Sequence, residues 1–312
     1  MKKLNLRSES FNTILASFRD WLDVLGYAPT TVYNLPHHLK EFFHYLERNG
    51  HSTIEHITTK MVKDYYGHLS NRSNDRRGGG LSKAFLNKHQ QALKKFLDYL
   101  KEHEANINFG VHLKGEKMDY KEGKVILTQD EIKQLFAACN VSHMSEHFQM
   151  RDRAILVLLY SCGLRRNEAM HIDTSDILFE KQRIYVRKGK NYKERFVPIN
   201  AYNLSLLEDY LYDARPEFLR NFQTDALLVS NIGRRINDKT VADRLKVIIE
   251  ATEDDTIIDK RITLHTLRHS IATHLLQNKV PMKSISTFLG HSSLESTQIY
   301  THIASQIEHE AV

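Results

Sequence analysis

Cysteine is scarce in this sequence: Cys139 and Cys162 are the only two among 312 residues. A disulfide framework needs several cysteines in a short chain, so the class of disulfide-rich secreted scaffolds is excluded. Two cysteines in a chain of this length are typical of a protein that works in a reducing cytosol. We therefore expect a cytoplasmic location.

Long apolar runs and cofactor motifs are also missing. No stretch of about 18 or more apolar residues occurs, so the sequence predicts no transmembrane helix and no membrane partner. Cysteine and histidine residues do not show the spacing of zinc ligands, and there is neither a phosphate-binding loop nor a dinucleotide fingerprint. We expect no metal and no other cofactor.

Basic residues are in excess, mainly in the first third of the chain. The formal net charge is +6, and residues 1–105 contain 16 lysines and arginines against 11 acidic residues. This balance favours a polyanionic partner, although lysines along a helix are equally typical of a solvated face. Lys83, Lys88, Lys94 and Lys95 are our candidates for contacts with the phosphates of double-stranded DNA.

The chain is predicted to form two domains joined by a linker. Residues 1–105 carry apolar side chains at helical spacing in four segments, which predicts an all-α domain. Residues 106–126 are polar, contain three glycines and lack periodicity, as expected of a linker. A capping box from Thr128 to Glu131 opens a second domain over 127–312. Three β-rich runs between 176 and 199 predict a small antiparallel sheet in it, so the predicted fold class is mainly α, with an all-α domain followed by an α+β domain.

Chemistry-bearing residues are concentrated near the end of the chain. His265 and Arg268 are three apart and share one face of a predicted helix. His291 follows Gly290, a residue suited to end a helix, and Tyr300 lies on the next predicted helix. Each of these residue types is more often structural than catalytic when it stands alone, but here their order and spacing form a pattern.

That pattern resembles the tyrosine recombinases, also called phage integrases. The resemblance is carried by LLYSCGLRRNE (158–168), GKNYKERFVP (189–198), LHTLRH (264–269), LGH (289–291) and TQIYTH (297–302). The four-helix first domain is similar to the core-binding domain of that family, so the resemblance extends from about residue 9 to residue 302. Asn191 stands where the family often has glycine, and asparagine also tolerates a left-handed backbone.

The resemblance implies a site-specific DNA recombinase that cuts DNA with a tyrosine. Tyr300 would attack the scissile phosphate and form a 3′-phosphotyrosyl intermediate, followed by strand exchange and religation. Arg165 and Arg268 would bind the non-bridging phosphate oxygens, as planar guanidinium groups do. The outcome would be integration, excision, inversion, or the resolution of chromosomes or plasmids.

The remaining implied roles concern protons and positioning. His265 would accept or donate a proton near the tyrosine, and His291 would donate to the phosphoryl group. Lys190, in the predicted hairpin turn, would protonate the leaving 5′-oxygen. Glu168 would orient the site by hydrogen bonding.

Several assignments leave alternatives open. Arg166 adjoins Arg165 and is expected to face elsewhere, while Lys188 and Lys193 are alternatives to Lys190. Glu168 has the simpler interpretation of a partner for a nearby arginine or lysine. At the level of function, the alternatives are DNA relaxation of the type IB topoisomerase kind and a non-catalytic DNA-binding regulator.

The resemblance also implies an assembly. Two duplexes cut on each strand require four active tyrosines, so a homotetramer on synapsed DNA is expected, with a second recombinase or an accessory protein as a further possible partner. The chain begins close to the core-binding helices, which favours a member without an arm-binding domain, either Xer-like or a simple integrase or invertase of a mobile element. The segment 303–312 has apolar residues at near-helical spacing, and we expect it to pack on a neighbouring protomer.

Overall fold

The structure is a computed structural model that describes residues 4–74, 78–117, 125–187, 194–220 and 222–290. The chain divides into two compact units, Met1–Asp119 and Tyr120–Val312. The mainly α fold class is confirmed, since the sheet in the second unit is the only one among the described residues. The domain boundaries expected from the sequence stay a prediction.

The first unit is built from four helices: α1 (Glu9–Val24), α2 (Pro29–Arg48), α3 (Thr59–Asn71) and α4 (Lys83–Glu102). Three of them begin at a hydroxyl side chain that accepts a backbone N–H from the first turn: Ser8, Thr58 and Ser82. α2 begins instead at a proline, whose fixed φ suits the first helical position. The helix starts therefore follow from local side-chain chemistry.

Aromatic side chains fill the core of the first unit. Phe11, Phe18, Phe43 and Phe96 are fully buried. Phe11 stacks on Phe43 with ring centroids 4.4 Å apart. Trp21, the single tryptophan of the chain, packs at the edge of this core. Its fluorescence will therefore report on the folding of the first unit alone.

The segment after α4 contacts the helices of the first unit. Phe109 is buried in its core, and the Gly110 N–H donates to Thr59 Oγ1 at 2.9 Å. Further along, Gln90 Nε2 donates to the Lys114 carbonyl at 2.8 Å. Residues 106–114 are thus attached to the helices although their sequence shows no periodicity, because their contacts are made by single side chains and backbone groups.

The second unit contains nine α-helices in its described residues. They are α5 (Gln129–Ala138), α6 (Glu146–Leu156), α7 (Arg166–Met170), α8 (Ala201–Asp209), α9 (Arg215–Leu219), α10 (Asp238–Glu250), α11 (Asp255–Ile258), α12 (Leu264–Gln277) and α13 (Met282–Leu289). π-Helical turns over Val157–Ser161 and Tyr210–Ala214 follow α6 and α8, and a 3₁₀ turn covers Thr174–Asp176. The predicted capping box is confirmed, since Thr128 and Glu131 exchange side-chain-to-backbone hydrogen bonds.

The predicted sheet is confirmed and has three strands. They are β1 (Ile177–Leu178), β2 (Arg183–Val186) and β3 (Arg195–Pro198), antiparallel in this order. Ile184 pairs with Val197, and Val186 pairs with Arg195. These four side chains are buried, so the sheet presents one face to the core and places a charged residue there.

The beginning of the second unit is fastened to α12 through the backbone of Leu127. Its N–H donates to Ser270 Oγ at 2.9 Å, and its carbonyl lies 2.8 Å from His274 Nε2. His274 Nε2 must be the donor to a carbonyl, so Nδ1 accepts from the Tyr160 hydroxyl at 2.9 Å. α12 is therefore hydrogen-bonded both to the residue that precedes α5 by one position beyond its N-cap and to the π-helical turn Val157–Ser161. None of the helices described is both long and apolar enough to cross a membrane.

Candidate active site

Arg165 lies at the start of α7 and is held by several acceptors. It is the N-cap residue of that helix, so its backbone N–H is available to the Glu168 carboxylate, 2.8 Å away. Its Nη1 donates to Glu168 Oε1 at 2.9 Å, and its Nη2 donates to the Gly290 carbonyl at 2.8 Å. The side chain is about one-fifth exposed. The guanidinium thus has a fixed orientation at the surface of the unit.

Arg268 lies on α12 and its guanidinium reaches the same region. The side chain is 6% exposed. Nη1 donates to the Gly163 carbonyl, and Nη2 donates to the Leu289 carbonyl at 2.6 Å. Gly163 has a φ of 57°, and a side chain there would meet Phe288 at 2.9 Å. The bend before α7 therefore requires glycine and brings together two arginines that are about 100 residues apart in the sequence.

The Glu168 carboxylate is the shared partner of this region. In addition to Arg165, it accepts two hydrogen bonds from Arg195, and Arg268 Nη1 lies 3.8 Å from Oε2. Burial alone would raise its pKa, but the hydrogen bonds and charges of Arg195 and Arg165 outweigh burial and lower the pKa to about 2. Three guanidinium groups around one carboxylate leave a formal charge of +2, which suits an anionic ligand.

Arg195 is a member of this cluster for which the sequence predicted no role. It lies within the motif GKNYKERFVP (189–198), and the resemblance implies no role for its side chain. A signal was present, because strand alternation places residue 195 on the same face as Val197 and Val197 faces the core. A basic residue at an inward-facing strand position requires a buried anionic partner.

His265 lies one helical turn before Arg268 and reaches solvent. Its pKa is lowered from the ordinary value of 6.5, first by partial desolvation and then by the charges of Arg166, Arg268 and Arg165. An imidazole with a lowered pKa is neutral near pH 7 and able to accept a proton. Its ring centroid is 6.5 Å from that of His269.

Three predicted site residues lie outside the described residues: Lys190, His291 and Tyr300. The rivals Lys188 and Lys193, the predicted hairpin turn and the segment 303–312 lie outside them as well. Gly290, the last residue described before His291, ends α13 with a φ of 63°, as predicted. Its carbonyl accepts from Arg165, so the last described residue of the chain contacts one of the two arginines.

The four candidate DNA-binding lysines all lie on α4 of the first unit. Lys83, Lys88 and Lys94 are exposed, whereas Lys95 is partly covered. Lys95 Nζ is 3.2 Å from Asp98 Oδ2 and lies 5.8 Å from the centre of the Trp21 ring. Hydrogen bonding to Tyr27 raises the pKa of Lys95, with further contributions from Asp98. Lys95 is therefore partly engaged within the protein.

Comparison with known proteins accounts for both units. Residues 126–306 match the Phage integrase family, and residues 15–104 match the Phage integrase N-terminal SAM-like domain. The chain belongs to the phage integrase family. This integrase is 30% identical over 299 residues to tyrosine recombinase XerD of Staphylococcus epidermidis, covering 95% of this chain and 96% of the relative. It is 28% identical over 254 residues to tyrosine recombinase XerC of Natranaerobius thermophilus, covering 80% and 79%.

Solved structures show the same fold. XerH recombinase bound to its palindromic difH substrate, in a post-cleavage complex, has a TM-score of 0.74 at 20% identity, covering 99% of this chain and 97% of XerH. A lambda integrase dimer bound to a core site has a TM-score of 0.64 at 19% identity, covering 93% and 76%. Together with the relatives, the integrase family assignment makes the protein a site-specific recombinase of the tyrosine type. The topoisomerase and regulator alternatives are not favoured.

Proposed function

We propose that the recombinase cleaves double-stranded DNA with Tyr300, and that the cluster around Glu168 binds the scissile phosphate. The observation that carries the proposal is the convergence of Arg165 and Arg268 on the carbonyls of residues 289 and 290 and on one carboxylate. Both guanidinium groups are held by the protein in advance. Preorganised donors of this kind stabilise the charge that develops on a phosphoryl group in the transition state.

The proposed cleavage step forms one phosphorus–oxygen bond, breaks another, and transfers two protons. A bond forms between Tyr300 Oη and phosphorus while the bond from phosphorus to the 5′-oxygen breaks. His265 accepts the tyrosine proton, and Lys190 gives a proton to the leaving 5′-oxygen. Arg165, Arg268 and His291 donate to the non-bridging oxygens throughout the step.

The phosphotyrosyl ester retains the energy of the broken bond. A 5′-hydroxyl from a second duplex can therefore attack it and restore the backbone, with the proton transfers reversed. We propose that exchange takes place in a tetramer of this chain on two duplexes, because each of four strands needs its own tyrosine. The alternatives are a second recombinase in place of two copies of this chain and an accessory protein bound in addition to the four protomers, and the composition of the assembled complex distinguishes them.

The deciding experiment is the capture of a covalent protein–DNA adduct. A duplex site is first selected from a random-sequence library by binding to the wild-type protein. Nicked derivatives of that site then let the short fragment bearing the 5′-hydroxyl diffuse away, which blocks religation. We expect an adduct with the wild-type protein and none with Tyr300→Phe at equal DNA affinity. An adduct formed by Tyr300→Phe would overturn the assignment of the nucleophile.

A further inference from the structure

Arg195 is a buried charged residue in the short strand β3. Its side chain is only 6% exposed. Burying a guanidinium in a protein interior is unfavourable unless an opposite charge pairs with it and its N–H groups find well-placed acceptors. The role of Arg195 can therefore be inferred from the groups that it binds.

Each side of the Arg195 guanidinium is bonded to an acceptor of the protein. Nη1 and Nη2 donate to the two oxygens of Glu168, at 3.0 and 2.9 Å. Nε donates to the Phe288 carbonyl at 2.9 Å. A bidentate pair fixes both the distance and the plane of the carboxylate, which a single hydrogen bond does not.

The carboxylate that Arg195 fixes is the one that orients Arg165. Glu168 Oε1 accepts from Arg165 Nη1 at 2.9 Å and from Arg195 Nη1 at 3.0 Å, so one oxygen lies between the two guanidinium groups. Because Glu168 is shared, a change in its position changes the position of the Arg165 guanidinium.

Arg195 also packs against the end of α13. A side chain at Gly290 would lie 2.6 Å from Arg195 Nη1, so the backbone of residue 290 passes close to the guanidinium. The carbonyls of residues 288 and 290 accept from Arg195 and Arg165, respectively. Strand β3, helix α7 and the end of α13 thus meet at Arg195.

We infer that Arg195 is a positioning residue for DNA cleavage, which acts through Glu168 to hold Arg165 at the scissile phosphate. The inference rests on the proposed function. Arg195 itself touches no DNA in this role, because its donors are directed at Glu168 and Phe288. Displacing a reacting or charge-stabilising group by about 1 Å lowers a rate by roughly 100-fold, and we expect a loss of that size in Arg195→Gln.

A double-mutant cycle distinguishes positioning through Glu168 from general support of the fold. Arg195→Gln, Glu168→Gln and the double variant are compared with wild type in single-turnover adduct formation on the selected nicked duplex, at saturating protein. If Arg195 acts through Glu168, the double variant is no slower than the slower single variant. Losses that multiply, to roughly 10⁴-fold, would overturn the inference.

Arg187 provides the matched control. It directly follows β2, precedes the segment 188–193 in the sequence, and binds Asp173 and Asp176 rather than Glu168. The losses in Arg187→Gln and Glu168→Gln are expected to multiply. Non-multiplying losses for this pair too would show that the coupling belongs to the whole hairpin, which would overturn the assignment to Arg195.

Arg195→Lys tests the fork geometry and serves in the cycle should Arg195→Gln fail to fold. A lysine keeps the charge but cannot donate two parallel hydrogen bonds, so its rate should lie between wild type and Arg195→Gln, with unchanged DNA affinity. A wild-type rate in Arg195→Lys would count against the need for a bidentate pair. If the wild-type protein forms no adduct, the proposed function fails; if it does and the cycle is multiplicative, only the inference on Arg195 fails.

Discussion

Arg165 and Arg166 are adjacent in the chain, but their guanidinium groups bind different carboxylates. Arg165 Nη1 donates to Glu168 Oε1 at 2.9 Å, whereas Arg166 Nη2 lies 3.0 Å from Asp238 Oδ2. Arg165 is the N-cap residue and Arg166 the first residue of α7, so their side chains leave the backbone in different directions. One arginine belongs to the Glu168 cluster and the other lies in a half-exposed surface pair.

This separation predicts different effects on cleavage. Arg165→Ala should lower the single-turnover rate of adduct formation by roughly 10²–10³-fold, since one preorganised donor to the phosphoryl group is lost. Arg166→Ala should change the rate at neutral pH by less than about threefold, because exposed ion pairs contribute little. Thermal unfolding of both variants controls for folding. Equal losses in the two variants would contradict the assignment of Arg165.

The lowered pKa of His265 predicts the pH dependence of cleavage. A base must be neutral to accept a proton, so the rate should rise with pH, reach half of its maximum at a midpoint below 6.5, and level off above that midpoint. Arg166→Gln removes one of the charges that lower this pKa and should therefore move the midpoint upwards. Lys133→Gln, at an exposed residue paired with Asp130, is the matched control. A midpoint that does not move in Arg166→Gln would count against His265 as the titrating base.

Two buried histidines predict the acid sensitivity of the first unit. Burial lowers the pKa of His38 to about 4 and that of His89 to about 3, with further lowering by neighbouring positive groups. Both are neutral in the folded state, and between pH 6.5 and these values the unfolded chain binds more protons. The free energy of unfolding should therefore fall as the pH falls, by at most about 1.4 kcal/mol per pH unit for each histidine.

Trp21 fluorescence during urea unfolding measures this effect in the intact chain. Replacing His89 with glutamine removes one titrating group and should flatten the dependence on pH, while lowering stability at neutral pH because the Tyr65 hydroxyl, 3.0 Å from His89 Nδ1, loses its partner. His56→Gln, at an exposed position of the same unit, is the control. A slope in His89→Gln equal to that of wild type would refute the explanation.

The lysines of α4 predict the salt dependence of DNA binding. Each lysine that neutralises a phosphate contributes about 0.9 to the slope of log affinity against log salt concentration. Lys88→Gln and Lys94→Gln should each lower the slope by that amount, and Lys95→Gln by less, because Lys95 is paired with Asp98. Lys101→Gln, in the last turn of the same helix, is the control. Unchanged slopes for Lys88→Gln and Lys94→Gln would assign these residues to a solvated face.

Local signals in the sequence predicted most of the architecture. The hydroxyl cap at Thr58, the capping box at Thr128 and the end of α13 at Gly290 depend only on residues within one or two helical turns. Three β-rich runs separated by polar turns predicted the strands. Such features depend on residues that are close together in the sequence, so the fold class could be inferred without knowing which distant residues are in contact.

The contacts within the candidate site were less predictable. The bond between Arg195 and Glu168 joins residues 27 positions apart, and the attachment of Leu127 to His274 spans 147. Nothing in a local window indicates which of many arginines will meet a given carboxylate. The motif resemblance selected Arg165 and Arg268, but Arg195 required the register of β3 against β2 to be known.

The two hydrogen bonds made by the backbone N–H and carbonyl of Leu127 limit where a fragment of the second unit can begin. A fragment that starts after Leu127 would remove the acceptor of the buried His274 Nε2, and leaving that donor unsatisfied costs about 1–3 kcal/mol. Ser270 Oγ would lose the Leu127 N–H but would still donate to the Thr266 carbonyl. Both residues lie on the helix that carries Arg268. Expression fragments and fusion junctions should therefore be placed upstream of residue 126, since a start beyond Leu127 would loosen the helix that carries Arg268, one of the two arginines of the proposed phosphate site.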